Sequence, residues 1–216
     1  MNVARFSLLA MVGVACAGRQ HTSPTTARTR SAADDLVRRV QEAYRHTPRL
    51  TCRFRQTVFN KTFGLPSMHD GMLYVERPGT LRWDYFSKRD RTQVIISQTW
   101  TGTSIGAVSS SGKWHYRVSQ SRSALPISVA FLSGADKLAS DFDARLLTGS
   151  TYGTESDSVL ELTPRHRSAQ FKTLVLVVDP RTSWVKRSIV TSATGDTTEF
   201  TFYAPRIDSS SSRARR

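Results

Sequence analysis

At 216 residues the chain is long enough for one domain with a sizeable core, and no break in composition marks a second. Its formal charge of +14 raises the question of nucleic acid, but half of the excess lies in the two tails: Arg5, Arg19, Arg28 and Arg30 in residues 1–33, and Arg206, Arg213, Arg215 and Arg216 against Asp208 in residues 204–216. The remainder is scattered along segments that also carry acids, with no basic helix and no nucleic-acid motif, which leaves only weak attraction to an anionic membrane surface or an acidic partner.

The chain opens with Arg5 and an apolar run, "FSLLAMVGVACA" over 6–17, too short to span a bilayer and ended by small residues. This pattern predicts an export signal over 1–17. Two processing chemistries fit it. Ala15-Cys16-Ala17 has the small-x-small form of ordinary signal cleavage, and Val14-Ala15-Cys16 partly resembles a lipobox, with lipidation of Cys16. Beyond the leader only Cys52 remains, so the body has no intramolecular disulfide and holds by its core alone. Cys52 shares strand parity with Phe54 and Val58 and reads as a small buried hydrophobe.

Residues 18–33, rich in Thr, Ser, Arg and Ala without apolar period, predict a flexible arm. Ser31, with Asp34 three positions on, marks a helix start, after which Leu36, Val37, Val40, Ala43 and Tyr44 fall at helical spacing until Pro48 ends the element. Strands follow over 51–59, 71–77, 80–86 and 92–97, then a Ser/Gly-punctuated region over 102–112 and a strand over 114–118. The segment "PISVAFLSG" over 126–134 predicts a short apolar helix between its Pro and its Gly. Further strands are predicted over 142–147, 158–163, 171–178, 184–191 and 197–203, before a disordered basic tail over 204–216. Ten or eleven close-spaced strands with one helix in front and one in the middle imply a mainly β (α+β) domain over 34–203. Its single, strongly curved antiparallel sheet would have a concave face covered by the helices, with any binding site between the two.

Chemistry is sparse. His21, His46, His69, His115 and His166 show no metal-ligand spacing, and no nucleophile elbow, phosphate loop or zincin helix is present. The pairs Asp141/Asp143 and Asp34/Asp35 sit at element starts, where acids are ordinary. The pattern implies no enzyme, no metal and no cofactor. The apolar inventory remains: Leu73 and Val75 alternate on one strand, and Leu81, Trp83 and Tyr85 on the next. Arg77 falls on the same parity as Leu73 and Val75, where an unpaired charge is costly unless carbonyls or a carboxylate receive it, or unless Pro78 ends the strand and the side chain swings out at the rim.

"GMLYVERPGTLRWDY" over 71–85 resembles the strand-turn-strand of the LolA family of periplasmic outer-membrane lipoprotein carriers, whose hallmark is G-x-L-x-V-x-R-P-G-x-L-R-W-x-Y. Phe54-x-Gln56, Leu125-Pro126 with Phe131-Leu132-Ser133-Gly134, and Leu162-Thr163-Pro164 are similar to further family elements, in the same order. The resemblance implies an unclosed half-barrel lidded by helices. It also implies a carrier function, in which a monomer accepts triacylated lipoproteins from an inner-membrane ABC exporter and delivers them to an outer-membrane acceptor. By the same resemblance Phe54, Leu73, Val75, Leu81, Trp83, Tyr85, Phe131 and Leu132 would form the acyl-binding cavity, and Arg77 would hold the empty lid shut. The chain departs from the family over 101–108 ("TGTSIGAV"), where two expected aromatics are replaced by small or aliphatic residues, implying a wider or less aromatic hollow. A lipid on Cys16 would instead fit the membrane-anchored acceptor of the same fold, LolB. The same half-barrel would also serve a carrier of a different lipid, or an envelope sensor or structural protein.

Overall fold

The computed structural model describes residues 24–77, 79–101, 104–112, 114–119, 126–133, 138–166, 168 and 171–208, with backbone alone for 24–31, 104 and 114–119. The expected leader 1–17, Cys16 with it, and the last eight residues lie outside the described ones.

Helix α1 (Pro24–Arg45) comes first, then β1 (Arg49–Phe59), β2 (Pro66–Glu76), β3 (Thr80–Phe86), β4 (Val94–Trp100), β5 (Ser104–Ser109) and β6 (Trp114–Ser119). A lid segment follows, made of α2 (Ile127–Ala130) and a turn of 3-10 helix, Phe131–Ser133. After α3 (Leu138–Asp141) come β7 (Phe142–Leu147), β8 (Ser158–Pro164), β9 (Phe171–Val178), β10 (Val185–Ser192) and β11 (Thr197–Asp208). The eleven strands form one antiparallel sheet in the order β6-β5-β4-β3-β2-β1-β11-β10-β9-β8-β7, so the first and last strands of the chain's sheet lie side by side at its centre. Among the described residues no pairing joins the edges β6 and β7, and the sheet remains an unclosed half-barrel.

Alternation dictates which side chains enter the hollow. Across the centre, Leu50 faces Val75, Cys52 faces Leu73, and Leu73 and Val75 face Trp83 and Leu81 in turn. The same row continues through Trp100 opposite Leu81 on one wing, and through Leu174, Leu176, Leu160 and Leu162 on the other. These residues from both wings join Leu36, Val37, Val40 and Tyr44 of α1 and Val129, Phe131 and Leu132 of the lid in one core cluster, which a flat sheet could not achieve. Tyr44 is wholly buried, its ring edge-on to Phe131 (5.2 Å) and Trp184 (4.7 Å), and its hydroxyl accepts the Val185 amide at 3.1 Å. Burial pushes its phenol far above the ordinary range.

Gly71 shows why this row tolerates no side chain at one point. A Cβ there would stand 2.1 Å from the Asp84 carbonyl oxygen and 2.6 Å from the Phe54 ring, which crosses the glycine to meet Tyr85 at 5.3 Å. Gly71→Ala is expected to cost about 1–3 kcal/mol through this overpacking, read as a lowered thermal midpoint, and an unchanged midpoint would contradict the packing described.

The convex face carries a second apolar cluster, Val159, Val175, Val177 and Ile189 with Leu147 against it. The 148–157 loop covers it: Gly153 lies against Val159 and Val177, Lys186 Nζ meets Asp157 at 2.7 Å, and Arg187 donates to the Tyr152 carbonyl. Arg187 also grips Glu199 through two bonds, 2.9 and 2.8 Å. Burial works to raise the Glu199 carboxyl, but these bonds and the Thr201 hydroxyl outweigh it and hold the group below its ordinary value.

Two expected boundaries are corrected. The arm expected over 18–33 is helical from Pro24 onward: proline suits the first turn of a helix, having no amide to leave unpaired, and no Gly or Pro interrupts 25–33. The tail expected to be disordered from 204 continues as strand to Asp208, because the start of β1 needs a ladder partner and Arg49 pairs with Asp208. Ala204 (φ 46°) and Pro205 sit in the register shift opposite Cys52, where the missing proline amide breaks no ladder bond. Helix α3 stands where no element was expected, and the Ser/Gly-punctuated region over 102–112 holds β5, which brings the strands to eleven.

Candidate functional site: the lidded hollow

The lid segment lies inside the half-barrel and divides its hollow. Above it, toward the β1–β2 turn, a cavity of about 630 Å³ remains, walled by Trp83 and Tyr85 of β3, Ile96 of β4, Ile105 of β5, Val190 of β10 and Phe200 of β11, and closed on one side by Pro126, Ile127 and Val129. Gln56, His69, Gln98 and Thr198 add polar atoms to an otherwise apolar wall. Below the lid a smaller space of about 240 Å³ is bounded by Tyr44, Leu50, Cys52, Leu132, Trp184 and Phe202. Phe131, edge-on to Tyr44 on one side and Phe202 (6.1 Å) on the other, is the plug between the two.

The eight apolar residues singled out in the sequence therefore separate into two groups. Trp83 and Tyr85 face the larger cavity, and Leu132 faces the smaller one. Phe54, Leu73, Val75 and Leu81 line neither space and pack in the core, while Phe131 is held in the lid between the two; each of the five is at most 4% exposed. Ile105 occupies the stretch where the family's aromatics are missing, and its aliphatic side chain forms part of the cavity wall.

Arg77 follows β2 and keeps the inward parity of Leu73 and Val75. Its guanidinium is received by three main-chain carbonyls: Nε donates to Thr47 O at 2.9 Å, Nη1 to Ser133 O at 2.5 Å and Nη2 to Leu132 O at 3.2 Å. The first carbonyl follows the end of α1 and the other two belong to the lid, so one fork ties the lid to both α1 and the sheet. The planar guanidinium suits this task because its donors are fixed in direction and always charged.

A second tie comes from the opposite wing and was not singled out in the sequence. Ser188 of β10 is fully buried and donates its hydroxyl to the Ser128 carbonyl of α2. A signal existed: Ser188 shares parity with Val190 on an apolar face, where a hydroxyl needs a partner. Ser188→Ala leaves the Ser128 carbonyl without that donor, an expected loss of about 1–2 kcal/mol in lid closure or a factor of roughly 5 to 30. Cys52 supplies the readout. Buried under the lid, with burial pushing its thiol up to about 12, it is expected to react faster with a thiol reagent when Ser188 is replaced; an unchanged rate would contradict the tie.

Among the described residues no group of three or more His, Cys, Asp or Glu stands close enough to hold a metal, and no helix is long and apolar enough to cross a membrane. An unclosed antiparallel half-barrel with helices over an apolar hollow defines a class of binding folds. Sequence narrows the class: residues 45–213 match the model of the family described as "Outer membrane lipoprotein carrier protein LolA", and the chain belongs to that family. No curated protein matches the chain. Solved structures similar to it include a DUF1329-family protein from Desulfovibrio piger, at 13% identity and TM-score 0.47, covering 84% of this chain and 94% of that one. A LolA-superfamily protein from Nitrosomonas europaea gives 11% and 0.43 with 82% and 93% covered. Lipoprotein LppX of Mycobacterium tuberculosis gives 12% and 0.48 with 82% and 99% covered.

Proposed function

We propose that the chain, exported by the 1–17 leader, is a periplasmic carrier that takes acyl chains of triacylated lipoproteins into the lidded hollow and moves them from the inner to the outer membrane. Its partners would be an inner-membrane ABC exporter and an outer-membrane acceptor, and it would act without catalysis. Membership of the carrier family supports this reading, and the observation that carries it is the lid tied by Arg77 over an apolar cavity.

The chemistry makes the demand clear. Each acyl methylene withdrawn from water is worth about 0.8 kcal/mol, so one chain of about sixteen carbons costs on the order of 12 kcal/mol to leave exposed. A carrier must shield it and still release it. A lid that closes on the empty hollow competes with the ligand and lowers the net affinity, so an acceptor can win. Polar ties suit such a lid because directional bonds break as a unit, and Phe131, once withdrawn, would join the upper and lower spaces into one trough. Trp100, paired with Ile105 of the cavity wall, buries its indole N–H without a hydrogen-bond partner among the described residues, a donor suited to an ester or amide carbonyl.

The test is isolation of the chain from the periplasm followed by mass spectrometry of what it carries. Triacylated lipoprotein bound in a one-to-one complex is the expected finding; a chain that emerges empty, or loaded with an unacylated peptide, would overturn the reading.

A further inference from the structure

We propose that the turn joining β1 and β2 is a membrane-docking knuckle, which seats Phe63 and Leu65 in the interfacial layer of an anionic lipid bilayer while neighbouring cations meet the headgroups. The inference rests on this end of the half-barrel alone and holds whatever ligand fills the hollow.

Scattered apolar side chains on a surface are ordinary, but these are concentrated. Phe63 is 78% exposed, Leu65 77% and Met68 52%, all within six residues. The turn that presents them is built rather than slack. Asn60 Oδ1 accepts the amides of Thr62 (2.9 Å) and Phe63 (3.2 Å), the Gly64 amide donates to Asn60 O at 2.9 Å, and Gly64 takes φ 70°, a left-handed conformation. The Lys61 amide is held by the Asp196 carboxylate of the β10–β11 turn at 2.8 Å. Four hydrogen bonds thus fix a projection whose apolar side chains point into water.

Charge selects the partner. A groove of about 420 Å³ separates this hairpin from the β3–β4 turn over 87–93, and Arg55, Met68, Lys88 and Arg91 line it. With Lys61 and Arg89, five cations gather at this end of the sheet against the carboxylates of Asp70, Asp90 and Asp196. Those three are already engaged: Asp70 by Arg55 (2.7 Å) and Arg91 (3.6 Å), Asp90 by Thr92, and Asp196 by Lys61 N and Thr194. Lys88 and Arg89 have no ion-pair partner among the described residues. An apolar tip with free cations beside it fits the boundary between acyl chains and anionic headgroups, where each component meets its complement. The orientation is also productive. The Gln56–His69 pair on the cavity wall lies three pairs below the Phe59–Pro66 pair that closes the hairpin, so docking brings the hollow close to the bilayer.

Co-sedimentation of the full chain with vesicles of phosphatidylcholine, alone or mixed with phosphatidylglycerol, tests this. The wild-type chain is expected to bind the anionic vesicles and to bind neutral ones more weakly. The Phe63→Ser/Leu65→Ser chain should lose about 100-fold in partitioning, near tenfold per side chain. Lys88→Gln/Arg89→Gln should lose roughly fivefold per cation on the anionic vesicles alone. The tryptophan emission of a Phe63→Trp chain, compared with wild type, should gain a blue-shifted component on binding. Because Phe63 and Leu65 lie outside the hollow, the Phe63→Ser/Leu65→Ser chain should still bind an acyl ligand in solution, which separates failure of this proposal from failure of the carrier reading. Wild-type protein left in the supernatant, equal partitioning of that double variant, no added blue-shifted emission, or binding that appears only when a membrane protein is added would each overturn the proposal.

Discussion

Ile96→Glu is expected to abolish acyl-chain binding while leaving the half-barrel folded. Ile96 pairs with Tyr85 and lines the larger cavity, but it is only partly buried and belongs to neither core cluster. In the empty protein the carboxylate remains in contact with water through the open side of the cavity, so the fold bears little cost. An acyl chain would displace that water and strand the charge, at several kcal/mol. The expected loss of affinity is at least about 100-fold, which corresponds to some 2.7 kcal/mol. Titration with a fluorescent acyl probe, with circular dichroism as the control for folding, measures it. Near-wild-type affinity in a folded variant would place the ligand elsewhere. Leu81→Glu is a poorer probe, since Leu81 is 1% exposed in the core and loss of binding there could not be separated from loss of the fold.

Arg77→Leu removes the fork that ties the lid to β2 and α1. Three charge-assisted bonds to carbonyls are lost, and leucine can donate to none of them. Since Arg77 is only half-buried, water compensates part of the loss; about 2–3 kcal/mol is expected on lid closure, a shift of roughly 30- to 150-fold. The consequence for a carrier runs opposite to the usual effect of a damaging substitution. With lid closure weakened, the empty state competes less, so acyl ligands bind more tightly and leave more slowly. Loading is expected to persist and transfer to an acceptor membrane to slow by a comparable factor, while Cys52 reacts faster with a thiol reagent in the unloaded protein. Transfer at the wild-type rate would contradict the role given to the fork.

Much of this arrangement was legible in the sequence because the sheet obeys a period of two. Leu73, Val75, Leu81 and Trp83 share one face in the sequence and one face in the structure, and the misfit of Arg77 on that parity pointed to the carbonyls that receive it. The family resemblance rested on the same strands. What parity cannot supply is depth. It places Leu81 and Tyr85 on the same side, yet Leu81 is sealed in the core while Tyr85 borders open space, because the lid covers one end of the hollow and not the other. The tie from Ser188 depends on a carbonyl sixty residues away in sequence. The convex cluster escaped because "LVLVV" over 174–178 is apolar on both faces, and only the 148–157 loop reveals what buries the outer one. The two boundary errors share a cause: composition described the 24–33 and 204–208 stretches as polar, whereas a proline start and a ladder partner decided them.

An acyl chain is expected to occupy the space between β3–β5, β10–β11 and the lid. Methyl-resolved NMR of the protein with a fatty acid carrying a nitroxide on its chain tests it most directly. Line broadening is expected to be strongest at Ile96, Ile105, Ile127 and Val190, and weaker at Val175 and Ile189 on the convex face. Broadening confined to the convex face, or absent throughout at saturating ligand, would contradict it.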